Sequence, residues 1–315
     1  MRSVLAQRGV RLEVVIVDDG GSDGTPTRVA EIGDRRVRLV RNDASLGVSL
    51  ARNVGLGHVR SQWVAFLDDD DLWAPDKLAR QLEAIGRDPS CRWACSAAAT
   101  FFADGKVLSI QAPSAERNLG ARILEGNLIP GGGSSVLVET GLLRKVGGFD
   151  ATLSNLADWD CWVRLAQRSP IASVQSPDVA YRLHPTSMAH DLRRSEEEVE
   201  RLRLRYADHY LAHDVELDRS AWLRYLGWLA YSGGDRAEGI RRSLQLYKLH
   251  GHRRALWQPV RSLIPLTIRR RSRARLFASR QPVEHAFVCS WLLPLLAPVS
   301  TSSLERGSPP PSDAP

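Results

Sequence analysis

Cysteine is scarce in this chain, with four residues among 315, too few and too scattered for a disulfide framework. Cys91 and Cys95 stand four apart but have no histidine partners at zinc-site spacing. They read as buried thiols, in keeping with a reducing, cytosolic setting. A membrane-spanning run is also missing. The nearest candidate, Ala286 to Val299, is 14 residues long and contains Pro294 and Pro298, whereas a spanning helix needs about 20. An interfacial anchor and a packed terminus are the two readings left for it. No signal peptide is visible at the N-terminus. Zinc-finger, RNP and basic-zipper patterns are lacking, so nucleic acid is not expected as a partner.

Excess charge is lacking over most of the chain. Residues 1–194 carry 24 Lys and Arg against 23 Asp and Glu, and residues 195–315 carry 19 against 13. Nearly all of the net +7 therefore sits in the second part. Such a surplus suits peripheral contact with an anionic membrane, at its cytoplasmic face.

What the chain does have is an unusual acidic run. Trp63-Val64-Ala65-Phe66-Leu67 leads directly into Asp68-Asp69-Asp70-Asp71. The apolar stretch reads as a buried strand. Four adjacent carboxylates repel one another unless something positive neutralises them. At the C-terminal end of a strand in an open α/β sheet they stand where such folds place ligands. Oxygen donors of this kind suit Mg²⁺ or Mn²⁺, which in turn can hold a diphosphate. A solvated acidic turn is the competing reading. A second β-branched strand, Glu13 to Val17, ends in Asp18-Asp19 and a Gly-Gly-Ser-Asp-Gly-Thr turn. Two parallel strands delivering carboxylates to one edge would make a polar site.

The segments SVLAQ (Ser3 to Gln7), VIVDDGGSDGT (Val15 to Thr25), ARNVGL (Ala51 to Leu56), WVAFLDDDDLWAPDKL (Trp63 to Leu78), GGFD (Gly147 to Asp150), DWDCWVRLA (Asp158 to Ala166) and YRLHPTS (Tyr181 to Ser187) together resemble glycosyltransferase family 2. These are inverting nucleotide-sugar transferases with the GT-A fold. The resemblance implies a Rossmann-like, mostly parallel sheet flanked by helices over residues 1–190. It also implies a nucleotide-sugar donor, a saccharide, lipid-linked or protein acceptor, a divalent cation, and a place in envelope or exopolysaccharide assembly. The family's Asp-x-Asp maps onto Asp68 and Asp70. Asp70 would be the direct metal ligand, Asp68 would lie nearer the ribose, and His184 matches the family's C-terminal histidine. Asp18 and Asp19 match the acids that hold base and ribose. Arg52 would contact the nucleotide phosphates or pair with an acid. Gly132 and Gly133 match the loop that lets backbone approach the sugar. The catalytic base would be Asp158, with helix N-capping as its alternative. The acidic residue that usually precedes this base is Ala157 here.

The resemblance further implies a strand and a Pro-x-Tyr-Asn turn ahead of Ser3. This sequence opens inside the helix that comes after them, so the expectation is an N-terminally truncated domain. Two other readings compete. One is a catalytically inert remnant acting as a binding or scaffold module, and the other is a nucleotidyltransferase.

Alternating strands near 13–17, 37–40 and 63–67 and helices near 25–33, 47–59 and 75–86 predict a parallel sheet with helices on its faces. A helix is expected over 158–167. Residues 191–285 read as a basic helical region. Its stripes are Val199, Leu202, Tyr206, Tyr210 and Trp222, Tyr225, Leu226, Leu229. Asp235 and Glu238 form a candidate capping box, and the helix pair resembles a single tetratricopeptide unit packed on the catalytic domain. Residues 286–315 hold the short apolar run and a Ser/Pro-rich tail.

Overall fold

The computed structural model describes residues 1–101, 107–184, 187–250 and 291–292. The basic stretch 269–275 and most of the apolar run lie outside the described residues.

The expected alternation holds at the start of the chain. A short helix α1 (Arg2–Leu5) precedes β1 (Val14–Asp18), α2 (Thr25–Ile32), β2 (Val37–Arg41), α3 (Val48–His58), β3 (Trp63–Ala65), β4 (Leu72–Trp73) and α4 (Lys77–Gly86). The α1 segment is tied to the stretch between β4 and α4. Gln7 Nε2 donates to the Ala74 carbonyl at 2.7 Å, and Gln7 Oε1 accepts the Leu78 N–H at 3.1 Å.

The sheet is mixed rather than mostly parallel. β1 and β2 pair in parallel as a separate two-stranded sheet. The larger sheet joins β3 and β4 to β5 (Trp93–Phe101), β6 (Val107–Gln111), β7 (Val136–Glu139) and β8 (Ile171–Arg182). Only β5 with β8 is parallel there; β3–β7, β5–β7, β5–β6 and β4–β8 are antiparallel. The reason is topological. β3 finds its partner in β7, which runs the other way and lies more than 70 residues on, where βαβ alternation has no bearing.

The strand β5 is buried along its whole length. Its alanines leave room on one face for a tight loop: a Cβ on Gly131 (φ +67°) would lie 2.7 Å from the Ala98 Cβ. On the other side, Trp93, Phe149 and Trp162 pack as a ring cluster within the main core.

Helix α5 (Thr140–Lys145) comes after β7, and α6 (Ala157–Ala166) carries the expected apolar stripe into the core. α7 (Leu192–Arg205) contributes Val199 and Leu202 to that same core, and Tyr206 joins them from its C-terminal end. Asp160, read as structural, is buried and accepts from Arg164 (2.9 Å), Arg205 (2.8 Å) and the Tyr206 hydroxyl (2.8 Å). It clamps α6 to α7. After α8 (Ala207–His213), the helices α9 (Arg219–Ser232) and α10 (Arg236–His250) form a hairpin. Asp235 accepts the Glu238 N–H at 2.9 Å, as a capping residue should. The Glu238 side chain turns instead to Arg241 and Arg242, and Arg242 reaches Glu196 on α7 at 2.6 Å.

Within the apolar run, Leu292 is buried against Ala99, Phe101 and Ala180. Trp291 Nε1 donates to the Pro177 carbonyl at 3.2 Å. These two residues pack on the sheet.

Candidate active site

The acidic run is a turn between β3 and β4, closed by the Asp71 N–H donating to the Asp68 carbonyl at 3.2 Å. Its four carboxylates part ways there. Asp69 is exposed. Asp71 is buried and accepts the Arg182 N–H at 2.9 Å, which fastens the turn to the end of β8. Burial, reinforced by the charge of Asp68, pushes its carboxyl well above the usual range. Asp70 lies 2.7 Å from His184 Nε2. Burial and the charges of Asp68 and Asp69 raise the Asp70 carboxyl, against the bond to His184. Asp68 takes the Arg52 guanidinium at 2.7 Å.

Arg52 comes from α3, where the ARNVGL segment turns it toward the acids. Its side chain is only 13% exposed and stacks over the Phe149 ring, 5.2 Å from the centroid. Phe149 is held by Asn53, whose amide donates to the Phe149 carbonyl and accepts its N–H (2.7 and 2.8 Å). Asn53 therefore pins the GGFD segment, and Arg52 is committed to Asp68.

The glycine loop runs between Arg52 and the expected base. A Cβ on Gly133 would meet the Arg52 guanidinium at 3.1 Å, and one on Gly132 would lie 3.4 Å from Asp158 Oδ2. Any larger residue would fill the space these groups share. Ser134 Oγ accepts the Asp68 N–H at 3.1 Å, which joins loop and acid turn.

Asp158 does not cap its helix. α6 opens at Ala157 behind Leu156, and Asp158 Oδ1 accepts the N–H of its own neighbour Trp159 at 2.7 Å. Burial raises its carboxyl above the ordinary value, against the nearby positive charge of Arg52. Ala157 is fully buried in the core.

Asp18 and Asp19 stand at the end of β1 and do other work. Asp18 accepts the Gly21 N–H at 2.9 Å and lies 3.5 Å from Arg41 Nε. Asp19 accepts from Asn42 Nδ2 (2.8 Å), Ser45 Oγ (2.9 Å), the Leu46 N–H (2.9 Å) and the Gly47 N–H (2.8 Å). Desolvation, which alone would raise its pKa, is outweighed by these bonds, Leu46 foremost, and the carboxyl falls to about 2. Among the described residues, neither acid shares a hydrogen bond or ion pair with the 68–71 turn.

For the expected metal, the donor set is partly assembled. Asp70 and His184 are in contact, while Asp68 faces Arg52. Among the described residues no three acidic, histidine or cysteine side chains converge on one point. Raised carboxyls in the turn mark a negative site that a hard cation would relieve, and Asp70 with His184 fits that role.

Sequence reasoning missed the support beneath the glycine loop. Lys77 is fully buried, with Nζ 2.9 Å from Gln81 Oε1 and 4.3 Å from the Trp73 ring centroid. Trp73 Nε1 donates to the Ser134 carbonyl (2.8 Å) and Gln81 Nε2 to that of Ser135 (2.7 Å). Burial lowers the Lys77 pKa to about 7, against the charges of Asp178 and Cys95. A lysine opening an amphipathic helix reads as solvated, so its neighbours in sequence carry no signal of this.

Parts of this chain resemble known proteins. Residues 1–109 match the family model described as glycosyl transferase family 2. The succinoglycan biosynthesis protein ExoO of Rhizobium meliloti is 51% identical over 83 residues, 26% of this chain and 24% of that protein. An uncharacterized glycosyltransferase of Haemophilus influenzae is 28% identical over 168 residues, 53% of this chain and 56% of that protein. A UDP-Glc:alpha-D-GlcNAc-diphosphoundecaprenol beta-1,3-glucosyltransferase of Escherichia coli, WfgD, is 39% identical over 83 residues, 26% of this chain and 33% of that protein. The chain thus spans less than two thirds of the length of these curated relatives. Among solved structures, S. aureus TarS 1-349 in complex with UDP-GlcNAc superposes with a TM-score of 0.50 at 15% identity, covering 80% of this chain and 87% of that one. That likeness is one of fold.

Proposed function

Because residues 1–109 match the model of glycosyl transferase family 2, we propose that this chain transfers a sugar from a nucleoside-diphosphate donor to an acceptor hydroxyl with inversion, in the assembly of an envelope or extracellular polysaccharide. One observation carries the reading. Adjacent glycines of one loop face the two groups the chemistry needs, Gly132 the Asp158 carboxylate and Gly133 the Arg52 guanidinium that pairs with Asp68.

In this reading the sugar lies along that loop. The acceptor hydroxyl gives its proton to Asp158 as its oxygen bonds to the anomeric carbon, and the bond from that carbon to the diphosphate oxygen breaks on the opposite face. The raised carboxyl of Asp158 suits a group that must accept a proton and later release it. Arg52 and Asp68 orient the nucleotide portion, with Gly132 and Gly133 lying against the sugar. Asp19 acts on the nucleotide through the 42–47 loop that it holds, and Asp18 through the turn at Gly21. Asp70 and His184 would bind Mn²⁺ or Mg²⁺, which when bound neutralises charge on the departing diphosphate.

The acceptor is inferred by analogy with the relatives, whose names include succinoglycan and teichuronic acid biosynthesis and a diphosphoundecaprenol-linked acceptor. Peripheral contact with an anionic membrane from the cytoplasmic side accords with such an acceptor. Among the described residues, no helix is long and apolar enough to cross a membrane.

The test is nucleotide-sugar turnover by the wild type and by Asp158→Asn. The variant keeps the side chain's shape but cannot take a proton. Its transfer is expected to fall about 10²-fold or more, with donor binding nearly unchanged. Undiminished transfer would remove Asp158 as the base.

A further inference from the structure

Helix α9 carries three aromatic rings in a row. Trp222 and Tyr225 have centroids 5.6 Å apart and an interplanar angle of 34°, and Tyr225 and Trp228 lie 6.5 Å apart at 24°. The helix does not need all three for packing. Its fully buried contacts come from Leu226, Leu229 and Ala230. Trp222 leans partly on the main core, Trp228 is half-buried, and Tyr225 is 38% exposed. A rotamer-poor aromatic ladder left open to water on a helix that is otherwise well anchored is an accessible apolar surface with polar tips.

The ladder is connected to the candidate site. Leu229, one turn beyond Tyr225 on the same face, presents its carbonyl to His190 Nδ1 at 3.1 Å. The other side of that ring lies 3.1 Å from the His184 carbonyl, and His184 itself contacts Asp70. Tyr225 also senses the catalytic carboxylate. Burial, and after it the charge of Asp158, raises its hydroxyl above the ordinary value.

We propose that Trp222, Tyr225 and Trp228 form the acceptor subsite, a wall on which the pyranose rings of a saccharide acceptor stack as its terminal hydroxyl reaches Asp158. A pyranose has an apolar face of C–H bonds ringed by hydroxyls. Successive indole and phenol rings, with N–H and O–H groups at their edges, match both features. Successive rings at this spacing can engage more than one sugar of a growing chain. The inference rests on the transferase reading and narrows it to a saccharide acceptor.

The experiment uses the full chain with Mn²⁺, the donors UDP-glucose, UDP-N-acetylglucosamine and GDP-mannose, and short glucose and N-acetylglucosamine oligosaccharides as acceptors. Transfer to saccharide and donor hydrolysis are read separately. Tyr225→Leu and Trp228→Leu are expected to raise the acceptor KM about tenfold, the scale of one lost ring contact. Donor hydrolysis should not change, and Tyr225→Phe should restore the wild-type KM. Thermal unfolding verifies that the leucine variants fold. An unchanged acceptor KM in both leucine variants overturns the subsite. So does donor hydrolysis with no transfer to any of these saccharides. Lost sedimentation with anionic vesicles at unchanged KM would assign the rings to a membrane instead, and also overturns it. Absence of any donor turnover in the wild type would instead defeat the transferase reading itself.

Discussion

Replacing Lys77 with methionine tests the support beneath the glycine loop. Met keeps most of the stem's volume and removes the ammonium. In the folded protein burial holds the Lys77 pKa at about 7, against 10.5 for a free side chain. Between those values the unfolded chain binds the proton and the folded one releases it. Stability therefore rises with pH across that window and carries the full penalty of the buried charge below it. Each unit of displacement is worth about 1.4 kcal/mol. From pH 7, where the group is half-titrated, to about pH 9, the wild type should gain about 2 kcal/mol relative to Lys77→Met. The variant forfeits a cation–π contact with Trp73 worth about 1 kcal/mol, but that loss is outweighed near neutrality by the removed charge penalty. Lys77→Met should thus be the more stable protein at pH 7, with its lead shrinking as pH rises. Urea denaturation of both proteins across this range provides the measurement. The groups facing the amine are Gln81, Trp73, Cys95 and Asp178. All are shared by the two proteins, so their own titration largely cancels in the difference. Parallel pH profiles would refute the reasoning and mean that Lys77 reaches water or a firmer partner.

Asp70→Ala should abolish Mn²⁺- or Mg²⁺-supported donor turnover while leaving thermal unfolding nearly unchanged; equal wild-type activity in chelator would dispose of the metal. Gly131→Ala should destabilise by about 1–3 kcal/mol, because its φ is +67° and the new methyl would meet the Ala98 Cβ at 2.7 Å. A variant with wild-type unfolding would show that the loop can shift away from β5. Leu292→Ala should cost about 2–3 kcal/mol, since it empties a site between Ala99, Phe101 and Ala180. Were it to change vesicle binding and not stability, the apolar run would act as an anchor rather than as packing.

Much of the local architecture could be read directly from residue patterns. β-Branched runs marked β1, β2 and β3 within one or two residues at most ends, and 3.6-residue periodicity marked α6 and α9. The acidic turn after β3 was also legible, because an apolar strand that runs into four acids must end there. Their employment was not. Asp19 looks in sequence like a ligand acid, but the turn after Asn42 brings four donors to its carboxylate. Asp71 differs from Asp69 only in that β4 pairs with β8 and draws one of the two under the sheet edge.

Residue order alone specifies which segments are helix and strand, where the acids, glycines and Asp158 stand along the chain, and which family residues 1–109 match. These are set by short-range periodicity and motif spacing, which are properties of neighbouring residues. The antiparallel pairing of β3 with β7, the burial of Lys77 under the glycine loop, and the link from Leu229 on α9 through His190 to His184 emerge only once the chain has folded. Each of these depends on contacts between residues tens of positions apart, and local patterns carry no record of which distant element will fill a given face.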